Sequence, residues 1–225
     1  MDRKLIIFGL GETADIAYEY FKYDSNYDVI GFTAEDQFIT QDEYHNLPVF
    51  PFNEVTSKYS PEDVDFFVAI SYTQLNRVRE KCYTMVKQKG YKCANYISSK
   101  AFVWHNVEIG ENVMIFENNV IQHQVKIGNG VILWSGNHIG HQSIIEDFVY
   151  IASHAVISGF CKLGAHSFVG VNATFNDNIT IAADTIVGSG SLVVKNFEEP
   201  GKVLVGSPAR PISKTSYETF GVKNN

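Results

Sequence analysis

A small α/β unit followed by a parallel coil of three-sided turns is the fold this sequence predicts, and three observations predict it. Stepping by six from Val103 to Val193 meets sixteen positions, of which fifteen are Ile, Leu or Val and the other is Phe175. Neither a 3.6-residue helix nor a period-2 strand keeps that register over ninety residues, but short flat sides joined by tight corners do. Second, Gly or Asn recurs one and three residues after the aliphatic site, as at Gly110, Asn112, Gly128, Gly130, Asn172 and Gly190. Such residues accept the left-handed backbone that corners demand. Third, the chain opens on an apolar stretch, KLIIF, that runs into GLGETA at Gly9–Ala14.

Residues 3–8 read as a buried strand, the glycines as a turn, and Asp15–Lys22 as a helix. Strand, glycine turn and helix place backbone N–H groups at a helix N-terminus, a natural anion site. That turn reads as a structural turn, as a phosphate site for a nucleotide sugar, or as part of a nicotinamide site. Further strands are expected at Tyr27–Thr33, Val64–Ser71 and Tyr91–Ile97, with a helix from Leu75 to Gly90. Glu35 and Asp36 follow the second strand, where an acid meets a ribose or base edge or simply forms a solvated turn. The organisation expected is an α/β domain over 1–98, the coil over 99–195 and a closing segment and tail over 196–225. Three hexads make an 18-residue turn, so the coil holds about five turns around an aliphatic column. Small or β-branched residues four after each aliphatic site, such as Val113, Val131, Ala155 and Ser167, share the narrow interior.

The chain has 225 residues and a net charge of −7, with 18 Lys+Arg against 25 Asp+Glu. That leaves no surplus of cations for a nucleic acid, so no nucleic-acid partner is expected. No apolar run approaches the ~20 residues of a bilayer span, and the acidic Gly-rich opening does not suit a signal peptide. A cytoplasmic protein without a membrane partner is expected. Three scattered cysteines, Cys82, Cys93 and Cys161, suggest neither a disulfide framework nor a thiolate zinc site.

Chemistry concentrates in 134–159, WSGNHIGHQSIIEDFVYIASHAVISG. Two residues past the aliphatic site, one corner of the coil carries His105, His123, His141, Gly159, Asp177 and Lys195 in successive turns. His141 and Gly159 are neighbours in that column, so an imidazole and a free backbone amide would face one groove. The pair suits acyl transfer: the imidazole takes a proton from an incoming amine or hydroxyl, and the amide steadies the oxyanion on a thioester carbonyl. His138 and His154 flank the site as an alternative working pair. Trp104, Phe116 and Trp134 follow interior positions by one and should point outward, as contact surface for other copies or under the α/β unit.

The repeat resembles that of hexapeptide acyltransferases, whose coil is a left-handed parallel β-helix. With the Gly-rich turn, the His141 segment and the closing VLVGSPAR at Val203–Arg210, the chain resembles bacterial sugar acyltransferases of the sialic-acid O-acetyltransferase type, including N-acetyltransferases of nucleotide-linked 4-amino sugars. That resemblance implies a Rossmann-like nucleotide-sugar module, a homotrimer with active sites between subunits, and acetyl-CoA as cosubstrate with no metal. It implies His141 as general base, and coenzyme A contacts from Gly159, Ala165, Gly206 and Pro208. Gly9, Gly11, Glu12, Thr13, Glu35 and Asp36 would hold the nucleotide sugar.

Two positions depart from the family pattern. Gln142 stands where an acid commonly orients the catalytic ring, leaving Glu146 or Asp147 to assist, and Tyr150 stands where a histidine often meets the acetyl group or sugar. The reading is an N-acetyltransferase of a UDP- or dTDP-linked amino sugar in surface-glycan synthesis, with sugar O-acetylation as the alternative. Two other classes compete: zinc-dependent hydration of the γ-carbonic-anhydrase kind, for which His105 and His141 share an edge but Glu146 at the third ligand position and the α/β unit speak against, and a non-catalytic trimeric scaffold.

Overall fold

The computed structural model describes residues 3–222, so the two residues before and the last three of the tail lie outside the described residues. Two compact units result. One runs up to Ser71 and takes in Arg79–Tyr96, and the other joins Tyr72–Val78 to the chain from Ile97 onward. The excursion of Tyr72–Val78 into the second unit has no counterpart in the sequence reading, which drew one boundary after residue 98.

The first unit runs β1 (Arg3–Phe8), α1 (Glu12–Tyr23), β2 (Tyr27–Ala34), β3 (Glu43–Tyr44), β4 (Leu47–Pro51), α2 (Phe52–Lys58), β5 (Val64–Val68) and α3 (Arg77–Gln88). Its sheet has the order β3-β4-β2-β1-β5. All neighbours are parallel except the hairpin of β3 on β4. Leu5, Ile6 and Ile7 are fully buried, as a central parallel strand requires. β4 and α2 are additions to the sequence reading. LPVFP carries two prolines, which a ladder tolerates only near its edge, and only the β3 hairpin lies outside β4. Of the strand expected at Tyr91–Ile97, one bridge from Cys93 to Phe66 and the two-residue strand Tyr96–Ile97 form.

In the second unit successive turns of the coil contribute short strands, nearly all of two residues, to three parallel faces. Face one stacks Phe102–Val103, Val120–Ile121, His138–Ile139, Val156–Ile157, Thr174–Phe175 and Leu192–Val193. Face two runs from Glu108–Ile109 to Thr180–Ile181, and face three from Met114–Ile115 through Tyr150–Ile151 to Val203–Val205. Partners within a face are 18 residues apart, as in Val120 with His138. The second residue of each strand points inward. From Ile115 to Val193 these side chains are no more than 4% exposed, and only Val103 and Ile109 of the first turn are half-buried. Each buried aliphatic side chain contributes about 1.5–3 kcal/mol, so the column dominates the stability of this unit.

The corners correct one part of the sequence reading. The residue three after each inward site, from Asn112 to Gly190 in steps of six, has a φ between +57° and +77°. Phe148, His154, Phe160 and His166 hold this conformation as well as Asn and Gly do, at a cost of roughly 1–2 kcal/mol each. Glycine one after the inward site serves a different need. A Cβ at Gly110 would lie 2.8 Å from the backbone N of Asn129 in the next turn, so stacked corners there leave no room for a side chain.

The outward residues make the faces chemically distinct. Face two carries the ion pairs Lys126–Glu108 and Lys162–Glu146. On face three, Tyr150 and Phe168 stack under Tyr72, which also meets Phe220. Face one presents Phe102, Val120 and Val156, all exposed. None of the three aromatics expected to point outward joins the interior column, but of the three only Trp104 is exposed: Phe116 is buried against Trp134, 4.6 Å between ring centres.

Ile157→Ala is expected to cost about 2–5 kcal/mol, because a fully buried column position leaves a cavity that stacked turns cannot collapse. Chemical denaturation followed by circular dichroism measures it; a loss under ~1 kcal/mol would contradict a closely packed column.

Candidate active site

His141 sits on the corner between faces one and two, held by the turn Gly140–Ser143. Its backbone N–H donates to Gln122 Oε1 at 2.9 Å. Below it the His123 ring stacks at 5.5 Å, with 19° between planes, and the Phe160 ring meets it edge-on at 4.9 Å. Above it lies Gly159. A Cβ on Gly159 would stand 2.5 Å from His141 Cε1 and 2.7 Å from Nε2, so the ring packs directly against the Gly159 backbone. The juxtaposition read from the 18-residue turn therefore holds.

The amide itself differs from expectation. Gly159 N–H donates to Asp177 Oδ1 at 2.8 Å, so it is not free. The cause is the ladder of corner side chains that satisfies such amides elsewhere in the coil, as Asn129 Oδ1 does for Glu111 N–H and Asp147 Oδ1 for Asn129 N–H. To hold an oxyanion, Gly159 N–H would have to exchange the Asp177 carboxylate for it.

His141 Nδ1 is buried without a hydrogen-bond partner. Gln142 occupies the left-handed corner with an exposed side chain, and its N–H donates to His123 O, so it does not orient the ring. Neither candidate carboxylate takes its place: Glu146 is engaged by Lys162 and by Ala165 N–H, and Asp147 by Asn129. With no acceptor on Nδ1, rings and backbone position the imidazole, and no hydrogen bond selects its tautomer.

Phe102, Trp104, Gln122, His123 and His141 line a groove of about 450 Å³ that runs from His141 toward the first turn. The residues expected around coenzyme A divide among three corners. Gly159 is on the corner between faces one and two, Ala165 between two and three, and exposed Gly206 and Pro208 follow the last strand of face three. Ala165 N–H is taken by Glu146 Oε2 at 3.0 Å. Tyr150 is 6% exposed on face three, opposite the His141 corner, so within one chain it does not join His141. His138 lies half-buried on face one between Val120 and Val156, and His154 is exposed at another corner, so neither pairs with the other as a working base.

In the first unit the C-terminal ends of β1, β2 and β5 bring Gly9, Glu35 and Ala69 to one edge, through Gly9 N–H to Thr33 O and Ala69 N–H to Phe8 O. Gly9 has φ +145°, and a Cβ there would be 2.7 Å from Ala69 O, so only glycine fits. Gly11 caps α1 with no side-chain hydrogen bond and open space above it, while Glu12 and Thr13 begin the helix. Glu35 is held by Lys81 Nζ at 2.8 and 3.1 Å, a partner that sequence spacing did not reveal, and Asp36 is exposed in a short 3-10 turn.

No cysteine is poised as a nucleophile. All three are buried; burial pushes the Cys82 thiol up to about 11 and raises that of Cys161. A thiolate is therefore scarce at neutral pH. Among the described residues no three His, Cys, Asp or Glu side chains converge to hold a metal ion, and no helix is long and apolar enough to cross a membrane.

Residues 92–202 match the family model of the GMPPB C-terminal domain. The acetyltransferase domain of PglB from Neisseria gonorrhoeae, solved with acetyl coenzyme A, is 25% identical at a TM-score of 0.83, covering 94% of this chain and 100% of that one. Perosamine N-acetyltransferase from Caulobacter crescentus, with CoA and GDP-perosamine, is 23% identical at 0.81, covering 94% and 97%. WeeI from Acinetobacter baumannii is 22% identical at 0.77, covering 93% and 100%. A mitochondrial γ carbonic anhydrase of Arabidopsis thaliana is 37% identical over 76 residues, 33% of this chain; the match spans only 27% of that protein.

Gly159→Ala should push the imidazole out of place and lower kcat at least ~10²-fold, the scale expected when a reacting group moves by about an ångström. Steady-state kinetics beside an unfolding curve checks it. Native protein should leave all three thiols unmodified by iodoacetamide at pH 7.5, with full activity retained and labelling only after denaturation; mass spectrometry reads the adducts.

Proposed function

We propose that this protein is an acetyl-CoA-dependent N-acetyltransferase acting on the amino group of a nucleotide-linked amino sugar. The observation that carries the reading is the packing of the His141 ring against Gly159, within a chain that aligns over 94% of its length with an acetyltransferase domain solved with acetyl coenzyme A. The amine nitrogen attacks the thioester carbonyl carbon directly. His141 accepts the proton that the nitrogen sheds, the C–S bond breaks, and the proton passes to the leaving thiolate, giving the amide and free coenzyme A. Three buried cysteines, with the thiols of Cys82 and Cys161 raised by burial, favour this direct route over an acyl-cysteine.

The strand order of the first unit supports a Rossmann-like nucleotide-sugar module. Its open Gly9–Thr13 turn suits a diphosphate, and Glu35 with its Lys81 partner lies at the same edge for the nucleoside. Two features of the prism support a homotrimer with shared sites. Face one is apolar and uncovered, and Gly206 and Tyr150 lie too far around the prism to join His141 without a second copy. Acetyl-CoA would then lie against Gly159 and Ala165 of one chain and Gly206–Pro208 of another. A cytoplasmic location and a left-handed coil belong to the same reading.

A thiol-release assay with acetyl-CoA against UDP-, dTDP- and GDP-linked amino sugars, with sialic acids alongside, tests it. Transfer to an amino sugar is expected, with a loss of at least ~10² in kcat for His141→Ala. Turnover on sialic-acid hydroxyls alone would move the assignment to O-acetylation.

A further inference from the structure

The groove beside the base carries more than the base. Phe102 and Trp104 are 51% and 45% exposed, their ring centres 5.9 Å apart with planes at 45°. Large exposed aromatics on a corner and edge of the first turn contribute little to the interior column. They share their groove with Gln122, His123 and His141 and with no Lys or Arg. Gln122 Oε1 already serves His141 N–H, so the Gln122 side chain has its amide NH₂ to offer the groove as a donor. A surface of aromatic faces with a neutral amide and imidazoles, lacking fixed positive charge, suits neither a diphosphate nor an adenosine phosphate. It matches a sugar ring, which has C–H groups on its faces and hydroxyls on its rim.

Position selects the same occupant. The groove descends from His141 toward the first turn, through His123 and Gln122 in the second turn to Trp104 and Phe102. Gly159 and Ala165, beside which the acyl donor is proposed to lie, are on the other side of the base, one turn further on. His141 thus stands between two stretches of surface, as a base must when it takes a proton from an acceptor that attacks a donor. We propose that Trp104, flanked by Phe102, is the platform on which the pyranose ring of the amino-sugar acceptor stacks, with Gln122 and His123 donating to its hydroxyls. This rests on the transferase reading above and assigns the acceptor half of its site to the first two turns of the coil.

The test uses the full-length protein with the best amino-sugar acceptor found in the thiol-release panel. Trp104→Ala should raise the acceptor KM roughly tenfold, the scale of one lost stacking contact, while the acetyl-CoA KM and the sedimentation coefficient stay within error. Trp104→Phe, which keeps a ring, should recover most of the affinity. Titrating wild-type protein with acceptor should change its indole fluorescence, and Trp104→Phe should abolish that change although Trp134 remains. An unaltered acceptor KM in Trp104→Ala overturns the proposal, as does a rise confined to the acetyl-CoA KM, which would make the rings a donor contact. Dissociation of the assembly by Trp104→Ala also overturns it, since the rings would then hold a second copy. Should Trp104→Ala fail to fold, the Trp104→Phe fluorescence comparison decides alone. Absence of transfer by the wild type to every amino sugar is a separate result, and it counts against the transferase reading.

Discussion

Burial of one aliphatic side chain every six residues is the constraint on which the second unit depends. A chain that must send Ile139, Ile145, Ile151 and Ile157 into one narrow column can do so only by turning a corner after each. Three corners close a turn, so whatever stands at one corner lies against the residue 18 places on. The contact of His141 with Gly159 is a consequence of that arithmetic. No interaction specific to the two residues is required to bring them together, and the interior that fixes the spacing is apolar and rigid.

The corners show what this regularity costs. Each needs a left-handed residue, and around His141 those residues are Gln142 and Phe160, where Gly or Asn would be less strained. Phe160 sets its ring edge-on to His141, and Gln142 leaves Nδ1 without a hydrogen-bond acceptor. The imidazole is thus located by packing on three sides and remains chemically unassisted. An acid at that position would stabilise the imidazolium; here, developing charge on the ring meets two aromatic rings and a backbone. The same regularity accounts for the engaged Gly159 amide, because the ladder that satisfies corner N–H groups through Asn and Asp continues through Asp177 into the site.

The three faces of the prism divide its work. Ion pairs keep face two in water, and the aromatic cluster of Tyr72, Tyr150, Phe168 and Phe220 closes face three. Face one, with Val120 and Val156 exposed beside His138, is left apolar. The His141 corner borders faces one and two, so it has an apolar surface on one side and a hydrated, charged one on the other. That edge suits a reaction in which an uncharged amine and a charged coenzyme must meet.

The fold of the second unit was legible because a repeat states the same instruction sixteen times, and the 18-residue turn then follows from closing a triangle. Strand, glycine turn and helix at the start of the chain were legible for the local reason that Gly9 and Gly11 mark a place without room or need for a side chain. By itself the sequence thus determined the column, the corner spacing and the pairing of His141 with Gly159. Only the tertiary structure decided that Asp177 occupies the Gly159 N–H, that Glu35 is tied to Lys81, that Tyr150 faces away from the base, and that Phe116 is buried while Trp104 is not. The reason is physical. Periodicity governs where the backbone goes, whereas hydrogen-bond partners and exposure depend on which side chains arrive from distant parts of the chain, and no period encodes that.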